Sequence, residues 1–239
     1  EGPGEDDHVH VRGRHQTLGD SVPRRFLEAV SGSQQPPVKV GSGRLEIAER
    51  MVSQANPLFP RVLVNRVWMH HFGRGLAATP GDFGHLGERP SHPELLDWLA
   101  ADFRDGGGGS LKRLHRLIVT SAVYRQSSAH DPGAAAIDGD NRLLWRMSRP
   151  RLDAEQVRDA ILAVSGGLDR TMGAAHPFPP QHTWGYSQHR PFIADYETSR
   201  RSVYLMQQRI RKQPYLETFD GADTNSSTGT RTINTTPLQ

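Results

Sequence analysis

In a chain with no cysteine, any chemistry has to come from histidine, carboxylates, lysine, arginine, hydroxyls and amides. Asn65, Arg66, His70 and His71 fall in one segment of helical pattern, beside Trp68. Arg66 and His70 are four residues apart and share a face, whereas neighbours such as His70 and His71 diverge by about 100° and do not chelate one ion together. Such groups either line a cleft or hydrogen-bond the adjoining loops. Asp82 and His85 sit in a Gly/Pro-rich stretch, where ligand-binding residues are common, and His92 opens the next segment. An Asp/His/His set suits a divalent cation, so Asp82 and His85 are the metal candidates. The plainer expectation is that Asp82 caps a turn. Asp82-Phe83-Gly84 also matches the kinase magnesium-binding tripeptide, but no catalytic loop, Gly-rich strand or strand lysine precedes it, which excludes a kinase. Asn65, Arg66, His70, Asp82, His85 and His92 are therefore the catalytic candidates.

A second group is electrostatic. Arg200, Arg201, Arg209, Arg211 and Lys212 follow one another without an intervening acid, with Tyr204 and Tyr215 in and beside the run. Together with Tyr215 these cations are the candidates for holding phosphate, sulfate or carboxylate groups. Glu217, Asp220 and Asp223 follow at once and offer internal neutralisation. Glu155, Arg158 and Asp159 share a helical face opposite Val157 and Ile161, and the expectation for such a charged face is solvent. His8 and His10 share a strand face with ligand spacing, at an end of the chain where fraying is common. Asp220 to Asn225 has the composition of a calcium loop but lacks its twelve-residue pattern and terminal glutamate.

The elements that would position these groups are mostly helices. Helical spacing of apolar residues runs through Leu45 to Val52, Leu63 to Trp68, Leu95 to Phe103, Leu114 to Ala122 and Val157 to Val164. Ser91 with Glu94 and Asp153 with Gln156 have capping-box spacing, and Ser110 is placed to cap the helix that follows it. His8 to Arg12 alternates like a short strand, and Ser202 to Met206 reads as another. The stretches 73–90, 127–139 and 168–200 read as loops, in keeping with 24 Gly and 17 Pro among 239 residues. The fold class expected is mainly α, an irregular multi-helix domain with long Gly/Pro-rich loops and one small β element. Residues 1–40 read as the tail of a preceding segment or a linker, and 41–239 as a helical domain cut off at its C-terminus, where Thr236-Pro237 has the form of a helix opening.

Composition narrows the function classes. The absence of cysteine removes disulfides, zinc–thiolate and iron–sulfur sites, and covalent c-type haem from this chain. A net charge of +3, from 29 Lys+Arg against 26 Asp+Glu, is too weak a field for a dedicated nucleic-acid binder. No apolar run reaches the ~18 residues of a membrane-spanning helix. No secretory leader is visible at the start.

Several ordered segments carry a resemblance. They are Asn65-Arg66-Val67-Trp68, Phe72-Gly73-Arg74-Gly75-Leu76, Thr79-Pro80-Gly81-Asp82-Phe83-Gly84, and Pro90 to Leu99. Leu111 to Ile118, Tyr124-Arg125-Gln126, Asn141 to Arg146, Arg151 to Glu155, Arg201 to Tyr204 and Thr235 to Gln239 complete the set. From about residue 40 onward the chain resembles the planctomycete-enriched domain of unknown function numbered fifteen-fifty-three. That resemblance implies the C-terminal part of an exported or periplasmic multidomain protein, often with a planctomycete-type cytochrome c domain upstream, so haem c is expected there and no cofactor here. It supplies no catalytic residues. Gly108-Gly109-Ser110 stands where the family usually has Gly-Trp-Ser, so an aromatic anchor is missing.

The functional expectation is an accessory or binding module that supports neighbouring domains or holds a polysaccharide, with anionic polysaccharide as the partner suited to the arginine run. The alternative is a catalytic domain, a hydrolase or redox partner, using the Asn/Arg/His/Asp cleft.

Overall fold

The computed structural model describes residues 4–36, 38, 41–174, 182, 185, 197–209, 212–229, 231 and 234–239. Among them the fold is mainly α, with one two-stranded antiparallel sheet. The helices are α1 (Glu28–Ser31), α2 (Arg44–Val52), α3 (Leu58–Phe72), α4 (Pro93–Ala101), α5 (Leu111–Thr120), α6 (Ala122–Arg125), α7 (Pro132–Ile137), α8 (Ala154–Val164) and α9 (Pro214–Thr218). Strand β1 (Asp7–His10) pairs with β2 (Leu18–Val22), His8 standing opposite Ser21. Of the alternating stretch His8 to Arg12 only His8 to His10 lies in the strand, Val11–Gly13 making a 3-10 turn, and the strand's partner lies in a stretch with no strand expectation. Ser202 to Met206 is a correction: Ser202–Tyr204 forms a single 3-10 turn.

The chain folds as two compact units, Glu1–Ser148 and Arg149–Gln239. The core of the first is built by Val64, Trp68 and Phe72 of α3, Leu76, Leu96 and Leu99 of α4, Phe103, and Leu114 and Ile118 of α5. The 3.6-residue period of these positions is what the sequence displays. Trp68 stacks on Phe72 with ring centroids 4.2 Å apart. Gly73 ends α3 in the left-handed conformation (φ 81°), and its N–H caps the Met69 carbonyl. After α4 the chain makes one π turn, Asp102–Gly106, and the Ser110 side chain then accepts the Arg113 N–H to start α5. The Ser91 capping box does not form. His92 is the N-cap of α4, and Ser91 instead binds the Leu76 carbonyl through its N–H (2.9 Å) and its hydroxyl. The serine fastens a loop rather than a helix end.

In the second unit a small core of Ala154, Leu205 and Leu216 is covered by Tyr215 and Phe219. The capping box of Asp153 and Gln156 is present as expected. The orientation of α8 is not as expected. Ile161 and Val164 of its apolar stripe are 56% and 90% exposed, whereas Arg158 and Asp159 face the Ser202 turn. Tertiary hydrogen bonding has overridden the apolar pattern. No helix among the described residues is long and apolar enough to cross a membrane.

Candidate functional site

Three of the six catalytic candidates in the first unit, Asn65, Asp82 and His92, make local structural hydrogen bonds. Asn65 is fully buried, and its side-chain amide clamps the backbone of Ala77: Nδ2 donates to the Ala77 carbonyl at 2.9 Å and Oδ1 accepts the Ala77 N–H at 2.8 Å. Gly75 lies against this clamp. A Cβ there would stand 2.7 Å from Asn65 Nδ2 and 2.5 Å from the Ala77 oxygen, closer than real contacts allow. Arg66 and His70 lie on the exposed side of α3. Asp82 caps its own turn, accepting the Gly84 N–H at 2.8 Å, while the Thr79 hydroxyl donates to the Asp82 carbonyl and accepts the Glu88 N–H. His85 is exposed, and His92 Nδ1 pairs with the Ser91 hydroxyl at 3.0 Å. Among the described residues no group of three or more His, Asp or Glu is arranged to hold a metal ion.

The histidine with a cross-helix partner is His71. Its Nε2 lies 2.8 Å from Nδ1 of His115 on α5, and the Tyr124 ring packs edge-on against it at 5.5 Å. Forty-four residues separate the two histidines, so spacing along the chain gives no sign of the pair. Burial, then the charges of His115 and His70, push the His71 pKa below its ordinary 6.5. Above that unfolded value both states hold a neutral ring; as pH falls, the unfolded chain takes up a proton that the folded ring resists. Stability from this group is thus full above about pH 6.5 and declines as pH falls toward the lowered folded value. Urea midpoints of the wild type are expected to fall between about pH 7 and pH 5, and His71→Gln to flatten that segment of the profile.

The cationic run of the second unit is dispersed rather than gathered. Arg200 pairs with Asp169 (3.3 Å), Lys212 approaches Asp223 (3.9 Å), and Arg201 is exposed. Arg211 lies outside the described residues. Tyr215 stacks on Phe219 (4.7 Å) over the small core, and burial pushes its hydroxyl pKa up, so it belongs to the packing. Arg209 lines a cleft.

That cleft is open and holds about 710 Å³. Val203, Leu205 and Leu216 supply its apolar surface; Asp153, Glu155, Asp159, Gln207, Asp223 and the guanidinium groups of Arg209 and Arg231 supply its polar one. The inward charged face of α8 forms one side. Arg231 grips Glu155 with two hydrogen bonds, 2.6 and 2.9 Å, and this pair holds the Glu155 carboxyl below its ordinary pKa against the opposing effect of burial. Asp159 accepts both the N–H and the hydroxyl of Ser202 at 2.7 Å. Arg158 donates to the Arg200 carbonyl (3.0 Å), the Ser202 hydroxyl (3.2 Å) and the Thr198 carbonyl. Asp223 is bonded by the Ser226 hydroxyl and the Asn225 N–H, which lower its pKa. Spacing along the chain can pair Glu155 with Asp159 across one helical turn, but not with Arg231, 76 residues away.

These features define a cysteine-free, mainly helical chain whose second unit has an open cleft lined by both charged and apolar residues. Residues 43–239 match the family model described as PSD1, protein of unknown function (DUF1553), and the chain belongs to that family. No curated protein and no solved structure matches it.

Proposed function

We propose that the chain is a non-catalytic binding module whose cleft in the second unit takes a hydroxyl-rich ligand of low charge, a segment of a glycan. The observation that supports this most is the lining of the cleft. Its volume falls within the ~300–1,000 Å³ usual for ligand sites. Four acidic residues and two arginines line it together with apolar Val203, Leu205 and Leu216. A carboxylate bound to one partner keeps free lone pairs, so it can still accept from a sugar hydroxyl, and guanidinium N–H groups donate to hydroxyl or ring oxygens. The excess of acid over base disfavours an anionic polysaccharide in this cleft. Glu155 and Asp223 are poorly suited to be the acid of an acid–base hydrolysis there. That reaction needs one carboxyl kept protonated near the working pH, and both are pushed the other way. The resemblance to exported multidomain proteins adds a setting in which such a module would serve neighbouring domains.

Gln207→Ala and Arg209→Ala test the reading, since both side chains line the cleft from exposed positions. In affinity electrophoresis through gels of neutral polysaccharides, the wild type is expected to be retarded by at least one of them and each variant to lose most of that retardation. Equal mobility of wild type and variants in every gel, with unchanged circular dichroism, overturns the proposal.

A further inference from the structure

A second recess lies wholly within the first unit, beside Trp68 and Phe72. It holds about 50 Å³. At ~10–15 Å³ per enclosed water, that is room for a group of about four heavy atoms. Three arginines, Arg74, Arg89 and Arg142, are among the residues that line it. Glu88 and Asp140 line it too, and Glu88 is tied to Arg74 at 3.4 Å. Among the described residues, the guanidinium groups of Arg89 and Arg142 have neither a hydrogen-bond acceptor nor an ion-pair partner; Asp138 bonds the backbone N–H of Arg142 and feels its charge without bonding its guanidinium. With Arg74 and Glu88 offsetting each other, Asp140 is the one remaining carboxylate among the residues that line the recess beside Arg89 and Arg142, and Asp138 lies behind Arg142.

The wall that presents Arg142 is held in an uncommon backbone shape. Asn141 and Leu144 adopt φ of 54° and 58°. Left-handed backbone is uncommon outside glycine, and for a bulky leucine it is a genuine outlier. The loop is over-determined by side chains. Asp138 accepts the N–H groups of Arg142 and Leu143 at 2.9 and 2.7 Å. Asn141 donates to the Arg146 carbonyl (2.9 Å) and accepts the Arg146 N–H (3.2 Å). Gln126 holds the Leu144 carbonyl, and Trp145 Nε1 holds that of Asp138, each at 2.8 Å. Strain that persists because its surroundings enforce it is a feature of ligand sites. The opposite wall, Arg74 to Ala78, is fixed by the Asn65 clamp on Ala77. Both walls are therefore preorganised, and the recess is too small for the glycan segment proposed for the other unit.

We infer that this recess is a subsite for a single oxyanion group, a sulfate, phosphate or carboxylate carried on a larger ligand, bridged by Arg89 and Arg142 over the edge of the Trp68/Phe72 stack. Two guanidinium groups from separate loops suit a planar or tetrahedral oxyanion through charge-assisted hydrogen bonds.

The test is a titration of the full chain with inorganic sulfate, inorganic phosphate and acetate, each against sodium chloride at equal ionic strength, followed by amide NMR shifts. Saturable shifts at 74–76 and 140–144 are expected with at least one of the three anions and not with chloride. The anion with the tightest saturation names the group. Arg89→Gln and Arg142→Gln are each expected to weaken that binding at least tenfold, whereas Arg201→Gln in the other unit leaves it unchanged. Shifts that match those in chloride, or binding unaltered in both the Arg89 and Arg142 variants, overturn the inference. These two variants sit on different loops, so a folding defect in one leaves the other to decide. Because neither Arg89 nor Arg142 lines the glycan cleft, failure here is separate from failure of that proposal.

Discussion

Replacing Asn65 by Ala is expected to lower the unfolding free energy by about 3–5 kcal/mol. The side chain is fully buried and bonds both polar groups of the Ala77 backbone, itself 2% exposed. Truncation leaves a buried N–H and a buried C=O without partners, at ~1–3 kcal/mol each, and opens a cavity beside Gly75. Asn65→Asp should rescue little, because a carboxylate accepts the Ala77 N–H but faces the Ala77 carbonyl with another acceptor. Urea denaturation followed by tryptophan fluorescence measures the loss. Arg66→Ala, one residue along and exposed, is the control and should stay within about 0.5 kcal/mol of wild type. A purely catalytic or ligand-binding Asn65 would give the opposite pattern, with stability nearly unchanged on truncation.

Arg158→Met carries the second large effect, about 3 kcal/mol, on the second unit. The Arg158 side chain is 15% exposed and Asp159 beside it 27%. The guanidinium holds the carbonyls of Thr198 and Arg200 and the hydroxyl of Ser202. Methionine keeps the length of the apolar stem but none of the donors, so three acceptors lose their partner. Asp159 also loses a neighbouring cation at 3.7 Å. Breaking such a partly buried arrangement costs more than an exposed ion pair, which is worth ~0–1 kcal/mol. Hydrogen exchange should report faster opening of residues 198–205. Arg201→Met, on the exposed neighbour, is expected to change neither stability nor exchange there.

The two substitutions bear on different parts of the functional reading. Asn65 sets the wall of the small recess, through Ala77, without entering it. Arg158 and Asp159 set the Ser202 turn, and Ser202 lines the cleft of the second unit. Each is a positioning residue. Loss of ligand binding in either variant would therefore accompany loss of stability, whereas Gln207, Arg209, Arg89 and Arg142 should separate the two.

The local elements were legible in the residues. The apolar period of Val64 and Trp68, and of Leu114 and Ile118, identified the faces that now make the first core, which Phe72 joins. Ser110 and Asp153 act as caps from short-range chemistry that spacing alone reveals. The mainly helical class and the small β element followed from the same patterns, and the absence of cysteine settled which covalent and thiolate chemistry this chain lacks. What the residues did not disclose was pairing at long range. Periodicity describes neighbours three and four positions apart, so it read α8 by its apolar stripe and turned the helix the wrong way. The charged face points inward because Arg158 and Asp159 find acceptors and donors 40 to 44 residues away, and Glu155 finds Arg231. Likewise a buried Asn, an Asp capping its own turn and an active-site Asn and Asp look alike in a sequence. Only the tertiary structure, by supplying Ala77 to Asn65 and Gly84 to Asp82, decided which hydrogen bonds these groups make, and brought Arg89 and Arg142 to one recess.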